Sequence, residues 1–230
     1  MVTHDGHRQR MRQQLKTSGM DSMSDVQVLE VLLYYVISRQ DTNPIAHALL
    51  ERFGTLSGVL EASREELLKV EGVGERAAEL ICLIMQLERR HLIDRVSPES
   101  MLDSTEKCGR YLTPYFHNET EEVVYLLCLD AKCKKLDCVM VHRGDVNTAG
   151  VSIRKVVKTA LASNASSVVL AHNHPSGIAL PSREDIETTM QVKQALATVN
   201  IILADHIIVA EDDFVSMADD GLLRGDPNGL

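Results

Sequence analysis

Hydrophobic and polar positions change rhythm about halfway along the chain. Over the first hundred residues apolar side chains recur every three or four positions, the spacing of helices that bury one face. In "SDVQVLEVLLYYVIS" (24–38), Ser24 offers an N-cap, and Val28, Val31, Leu32 and Tyr35 offer an apolar face. "DTNPIAHALLERFG" (41–54) predicts a second helix, stopped at Gly54. "SREELLKVEGVGERAAELICLIMQLERRH" (63–91) predicts a helix, a glycine hairpin and a long amphipathic helix carrying Ala77, Leu80, Ile81, Ile84 and Leu87.

Past "DRVSPESMLDST" the pattern is mixed, and Ser97, Pro98, Ser100 and Ser104 mark a short linker there. "TEKCGRYLTPYF" reads as a helix leading into strands. "EVVYLLCLD" (122–130) is apolar enough for a strand covered on both faces, paired through a hairpin at "AKCK" with "KLDCVMVHRG". "VSIRKVVKTALASN" places Ile153, Val156, Val157, Ala160 and Leu161 on one helical face and leaves Lys155 and Lys158 in solvent. A strand "SSVVLAHNHP", a helix "SREDIETTMQVKQALATVN" and closing strands "DHIIVA" and "DFVSMAD" follow. This order predicts an all-helical domain over 1–97 and, over 103–226, a mixed sheet flanked by helices, of the α/β or α+β class.

Composition narrows the function classes. The 230 residues are 44% hydrophobic and 25% charged, which suits a globular chain rather than a disordered one. Glu30 interrupts the best apolar run, "VLEVLLYYVI", well short of a membrane span. The polar start "MVTHDGHRQR" lacks the apolar core of a signal peptide, so the expected location is the cytoplasm. Cys82, Cys108, Cys128, Cys133 and Cys138 contain no C-x-x-C pair and read as reduced thiols. The formal net charge of -9 would on average repel nucleic-acid phosphates. Two local features run against that average. Arg8, Arg10, Arg12 and Lys16 form a basic patch, which suits either a solvated first helix or an anion contact. Gly72 and Gly74 flank Val73 in a hairpin whose backbone N–H groups, at the start of the next helix, suit a phosphate. Glu71, Glu75 and Glu79 crowd that hairpin and oppose a phosphate, so a structural or protein-contact role stands beside a DNA-binding one.

The densest chemistry lies in "AHNHPSGIALPSRED" (171–185). His172 and His174, two apart at the end of a strand, fall on one side of the chain, while Asn173 points away. Pro175 ends the strand, Gly177 allows a turn, and the chain returns Asp185 in the first turn of the next helix. Two imidazoles and a carboxylate are three ligands, and they suit a zinc ion with its fourth position open to water; other first-row divalent ions suit the same set. Polar surface histidines and a capping box at Ser182 and Asp185 would account for the parts separately. The joint pattern points to a metal.

"HNHPSGIALPSRED", with His-x-His followed by Ser182 and Asp185, resembles the JAMM motif of MPN-type metalloproteases. The insert Pro175-Ser176-Gly177, the upstream "ALASNASSVVLA" and the downstream "DHIIV" are similar to the RadC family, and "LLERFGTLSGVLEASREELLKVEGVG" is similar to that family's N-terminal domain. "LLKVEGVGERAA" also resembles a helix-hairpin-helix motif, which often binds DNA backbone. The RadC resemblance implies a cytidine-deaminase-like MPN/JAMM fold in which His172, His174 and Asp185 bind one Zn2+ per chain, and an amide hydrolase acting on a protein or peptide substrate. It further implies an upstream glutamate as proton shuttle. Glu122 matches best, with Glu121 and Glu119 close enough to leave the register open. Ser182 would stabilise the oxyanion. Asn173, Asp205 or backbone carbonyls would orient the histidines, and Asp205 and His206 match the family's "DH". Many relatives carry an acid where Lys155 stands, on what periodicity makes an exposed face. A DNA-associated accessory role in repair or recombination is the alternative that the family's name suggests.

Overall fold

The computed structural model describes residues 4–96, 101–144, 151–211 and 213–223. Chain contacts divide it into two compact units, Met1–Arg90 and His91–Leu230. The linker residues Ser97, Pro98 and Ser100 lie outside the described residues.

The first unit is helical. It holds α1 (His4–Ser18), α2 (Asp25–Leu33), α3 (Asn43–Phe53), α4 (Leu56–Glu61), α5 (Arg64–Leu67) and the start of α6 (Glu75–Arg95). Ser24 caps α2 in a full capping box with Gln27, and Gly54 closes α3 with a positive φ of 82°. Leu29, Leu33, Ile45, Leu49, Val59, Leu67, Val73 and Ile81 form its core.

Two expected helix faces are corrected here. α2 turns Leu29, Glu30, Leu33 and Tyr34 inward, and Tyr35, expected on the buried face, is 71% exposed. Its segment is apolar almost all round, so spacing alone does not set its phase. Packing sets it, and Glu30 is accepted inside because His7 pairs with it at 3.2 Å. On α6, Leu87 is exposed, because the buried stripe comprises only Ala77, Ala78 and Ile81.

The second unit holds α7 (Thr105–Leu112), a short 3-10 turn (Thr113–Phe116), β1 (Val123–Leu129), β2 (Lys135–Arg143), α8 (Ile153–Ala162), β3 (Ser167–Asn173), α9 (Arg183–Ala197), β4 (Ile202–Ala210) and β5 (Asp213–Ser216). The strands form one mixed sheet in the order β2-β1-β3-β4-β5. Only β3 and β4 run parallel, joined across α9; the other neighbours are antiparallel. All seven residues of β1 are buried, as a central strand covered on both faces requires. Val123, Tyr125, Leu127, Val169, Ala171, Ile207 and Val209 face Tyr111, Leu112 and Phe116 of α7 and the turn after it. Val124, Leu126, Val168 and Leu170 face Val156 and Ala160 of α8 and Val192 and Leu196 of α9. Leu161, expected on the inner face of α8, is 50% exposed, because Val156 and Ala160, flanked by half-buried Ile153 and Val157, form that face; Lys155 and Lys158 lie in solvent. Among the described residues no helix is long and apolar enough to cross a membrane.

Candidate metal centre

The sheet alternation places His172 on the α8/α9 face, with Val168 and Leu170, and sends Asn173 to the opposite face. His174 follows directly after β3, and its N–H continues the pairing with β4 by donating to the Val209 carbonyl at 2.9 Å. A turn from His174 to Gly177, whose φ is 80°, then reverses the chain. Ser182 caps α9, and its capping box holds Asp185 at the third helical position. Asp185 thereby comes back against the strand end.

The three groups meet. One donor atom from each of His172, His174 and Asp185 lies within 4.8 Å of the others. His172 Nε2 and His174 Nε2 are 2.8 Å apart, Asp185 Oδ1 is 3.1 Å from His172 Nε2, and Oδ2 is 3.4 Å from His174 Nε2. Tetrahedral zinc with bonds of about 2.0–2.1 Å sets its ligand atoms about 3.3 Å apart, which these separations bracket.

The hydrogen bonds behind the rings fix what each ring presents. His174 Nδ1 lies 2.9 Å from the Ile178 carbonyl, which can only accept, so Nδ1 carries a proton and the neutral ring leaves a lone pair on Nε2. His172 Nδ1 lies 2.8 Å from His206 Nε2, and His206 Nδ1 lies 2.5 Å from the Thr189 hydroxyl. Asp185 Oδ2 accepts from the Ser182 backbone N–H at 2.8 Å and from its hydroxyl at 2.6 Å. The His174 lone pair, the Asp185 carboxylate and His172 Nε2 thus converge on one point. Titration follows the same logic. Burial pushes the Asp185 carboxyl up, but the imidazoles of His172 and His174 beside it outweigh burial and hold the group well below the usual carboxylate range. The bond to Asp185 raises His174 above its ordinary value against the effect of burial. Complete burial drives His206 well below its ordinary value.

Arg143 grips Glu119 with both terminal nitrogens, each at 2.8 Å, and stands 3.6 Å from a Glu121 oxygen. Glu122 immediately precedes β1, half-buried, and its negative charge adds to the raising of His174.

Asn173 and Asp205 do not orient the histidines. The Asn173 side chain accepts from Val123 N–H at 2.8 Å and donates to the Glu121 carbonyl at 3.0 Å, so it fixes the entry of β1. Asp205 sits on the other face of the sheet from His206 and accepts from the Ser216 hydroxyl, Ala218 N–H and Thr105 hydroxyl. The ring partners are His206 and the Ile178 carbonyl. The sequence offered "DH" at 205–206 as a signal but did not say which residue of the pair reaches the site; strand alternation decides it.

In the first unit the hairpin residues lie apart from this centre in the chain. Gly72 has a φ of 85°, and an added Cβ would meet Ile45 at 2.8 Å; Val73 is buried in the helical core. Glu75 pairs with Arg64, and Gly74 has open space around its Cα. All five cysteines are free thiols.

A five-stranded mixed sheet, with a His-x-His at one strand end and an aspartate returned by the following helix, defines a domain of the JAB or MPN class. The chain belongs to the RadC family within it. The model described as RadC-like JAB domain matches residues 102–222, and the UPF0758 N-terminal model matches residues 4–79. A UPF0758 protein of Methylibium petroleiphilum is 38% identical over 93% of this chain and 96% of its own length. Those of Azotobacter vinelandii and Pseudomonas entomophila are 36% and 34% identical, each over 94% of this chain and 96% of their own length.

Proposed function

We propose that the chain is a zinc-dependent hydrolase of the JAMM type, acting on a peptide or isopeptide bond. The observation that carries this reading is the convergence of His172 Nε2, His174 Nε2 and the Asp185 carboxylate on one point, with His174 Nδ1 turned to the Ile178 carbonyl and His172 Nδ1 to His206. A bound zinc ion would supply positive charge that acidifies a water and polarises a carbonyl. His172, His174 and Asp185 would hold it. Glu122, half-buried at the entry of β1 and close enough for its charge to act on His174, takes the proton from the attacking water and returns it to the leaving amine. The Ser182 hydroxyl, which donates to Asp185 in this arrangement, turns its single proton to the oxyanion.

The test begins with metal content. Protein purified without a histidine tag or added metal, compared with His174→Ala, should hold about one zinc per chain that the variant lacks. Glu122→Gln should then keep the zinc and lose cleavage of peptide or isopeptide substrates. A wild type that holds no zinc and takes none up refutes the reading.

A second reading, nucleic-acid binding by the helical unit, draws on one observation. Arg8, Arg12 and Lys16, one turn apart on α1, line a groove of about 540 Å³ together with Gln9 and Gln13. Arg8 is held there by the carbonyls of Ser38 and Gln40. Binding to single-stranded or branched DNA that weakens steeply with salt would support this; no binding at low salt would end it.

A further inference from the structure

Behind His172 runs a closed chain of hydrogen bonds that the motif does not contain. His172 Nδ1 meets His206 Nε2 at 2.8 Å, His206 Nδ1 meets Thr189 Oγ1 at 2.5 Å, and Thr189 Oγ1 meets the backbone carbonyl of Asp185 at 2.5 Å. The chain starts at one candidate ligand and ends on the backbone of another. Its inner members are buried: His206 is 3% exposed and Thr189 is 0% exposed.

The protons in this chain can be placed one after another. A carbonyl only accepts, so the single hydroxyl proton of Thr189 goes to Asp185; Met217 Sδ, at 3.6 Å, is a far weaker alternative acceptor. Thr189 Oγ1 must then accept from His206, so that ring, buried between Thr189 and a second histidine, holds its one proton on Nδ1. His206 Nε2 is left with a lone pair and must accept from His172 Nδ1. His172 Nε2 therefore carries a lone pair, and it is the atom that faces His174 and Asp185.

We propose that Thr189 and His206 are positioning residues that fix the tautomer of His172, so that the helix carrying Asp185 dictates which nitrogen the neighbouring strand offers to a metal. Without the Thr189 hydroxyl, the Nδ1 proton of His206 has lost its acceptor. His206 then shifts its proton to Nε2, where His172 Nδ1 accepts it, and the proton of His172 moves to Nε2, into the ligand set. A metal must reverse both shifts to bind. The metal consequence rests on the proposed zinc site, whereas the tautomer itself does not.

The experiment uses Thr189→Val, which is close in shape, and Thr189→Ser, which restores the hydroxyl. Imidazole 15N shifts of the metal-free chain report the His172 tautomer, and chelator competition with Zn2+ reports affinity. Wild type and Thr189→Ser should show His172 protonated on Nδ1. Thr189→Val should show it protonated on Nε2 and bind zinc about 10–100-fold more weakly. If valine disturbs folding, Thr189→Ala removes the same hydroxyl and should behave alike. An unchanged His172 tautomer in the folded valine or alanine variant overturns the proposal, even if zinc affinity falls. A wild type that binds no zinc refutes the metal reading, and the 15N shifts still decide the tautomer.

Discussion

Replacing Asn173 by alanine should destabilise the sheet-containing unit without emptying the metal centre. Asn173 lies between the two candidate ligands in sequence, yet its side chain is on the opposite face of β3 and 5% exposed. Its Oδ1 accepts from Val123 N–H at 2.8 Å, and its Nδ2 donates to the carbonyls of Glu121 at 3.0 Å and Glu119 at 3.5 Å. Val123 is wholly buried, so alanine leaves its N–H without this partner, at a cost of about 1–3 kcal/mol. The two bonds to the half-exposed approach add roughly 0.5–1 kcal/mol between them, because water replaces them in part. The sum is about 1.5–4 kcal/mol. With a urea dependence of about 2 kcal/mol per M, the unfolding midpoint of this unit should fall by about 0.7–2 M. The side chains of His172, His174 and Asp185 are untouched, so zinc content should remain that of the wild type. An unchanged midpoint would refute the reasoning, and so would a loss of zinc equal to that of His174→Ala, since it would mean that the two faces of β3 are not independent.

The two hairpin glycines should differ. Gly72→Ala forces a side chain into a positive φ against Ile45 and should cost at least about 1–2 kcal/mol in thermal denaturation, while Gly74→Ala, in open space, should stay within about 0.5 kcal/mol. Cys108 is 4% exposed, and burial pushes its thiol up to about 12, so at pH about 8 iodoacetamide should spare it in the native chain and label half-exposed Cys133; mass spectrometry of digests reads this directly. The metal-free chain should show two pH limbs. Asp185, held low, contributes stability that is present above the ordinary carboxylate range and lost as pH falls through its lowered value. His174, held high by Asp185, contributes stability that is present below about 6.5 and lost as pH rises through its raised value. Midpoints measured after chelation should therefore decline from neutral to alkaline pH, a decline that Asp185→Asn should flatten; a wild type with no such decline contradicts the coupling.

The parts of the site legible in the sequence are those whose geometry is local. Strand alternation puts His172 and His174 on one side two residues apart, and a capping box holds Asp185 in the first turn of α9 whatever the rest of the chain does. The same locality made the hairpin from β1 to β2 and the cap of α2 readable. Phase failed where the pattern was degenerate. α2 offers apolar residues on nearly every side, and its inward face is chosen by Leu29 and Leu33 packing and by the His7–Glu30 pair, whose members are 23 residues apart. The register of the glutamates stayed open for the opposite reason. Nothing local separates Glu119, Glu121 and Glu122, and the Arg143 contacts to Glu119 and Glu121 come from β2, where Arg143 pairs with Val123 across the strands, with a register shift between Val124 and Tyr125.

His206 and Thr189 show how the hidden part was built. A histidine in "DHIIVA" and a threonine in mid-helix have no spacing that announces chemistry, and each taken singly reads as fold. They meet because β4 runs parallel to β3, with Leu170 beside His206 and His172 beside Ile208, which brings the rings of 172 and 206 onto one face. They are joined because α9, the crossover between those strands, lays Thr189 one turn after Asp185 on the side that faces the sheet. A right-handed crossover of this kind is a general property of parallel strand pairs. The topology that buries Val192 and Leu196 against the sheet thus also carries the hydroxyl that accepts from His206. A substitution at Thr189 would then act on the metal centre through proton placement, and one at Val192 or Leu196 only through packing, although all three residues lie on the same buried face of one helix.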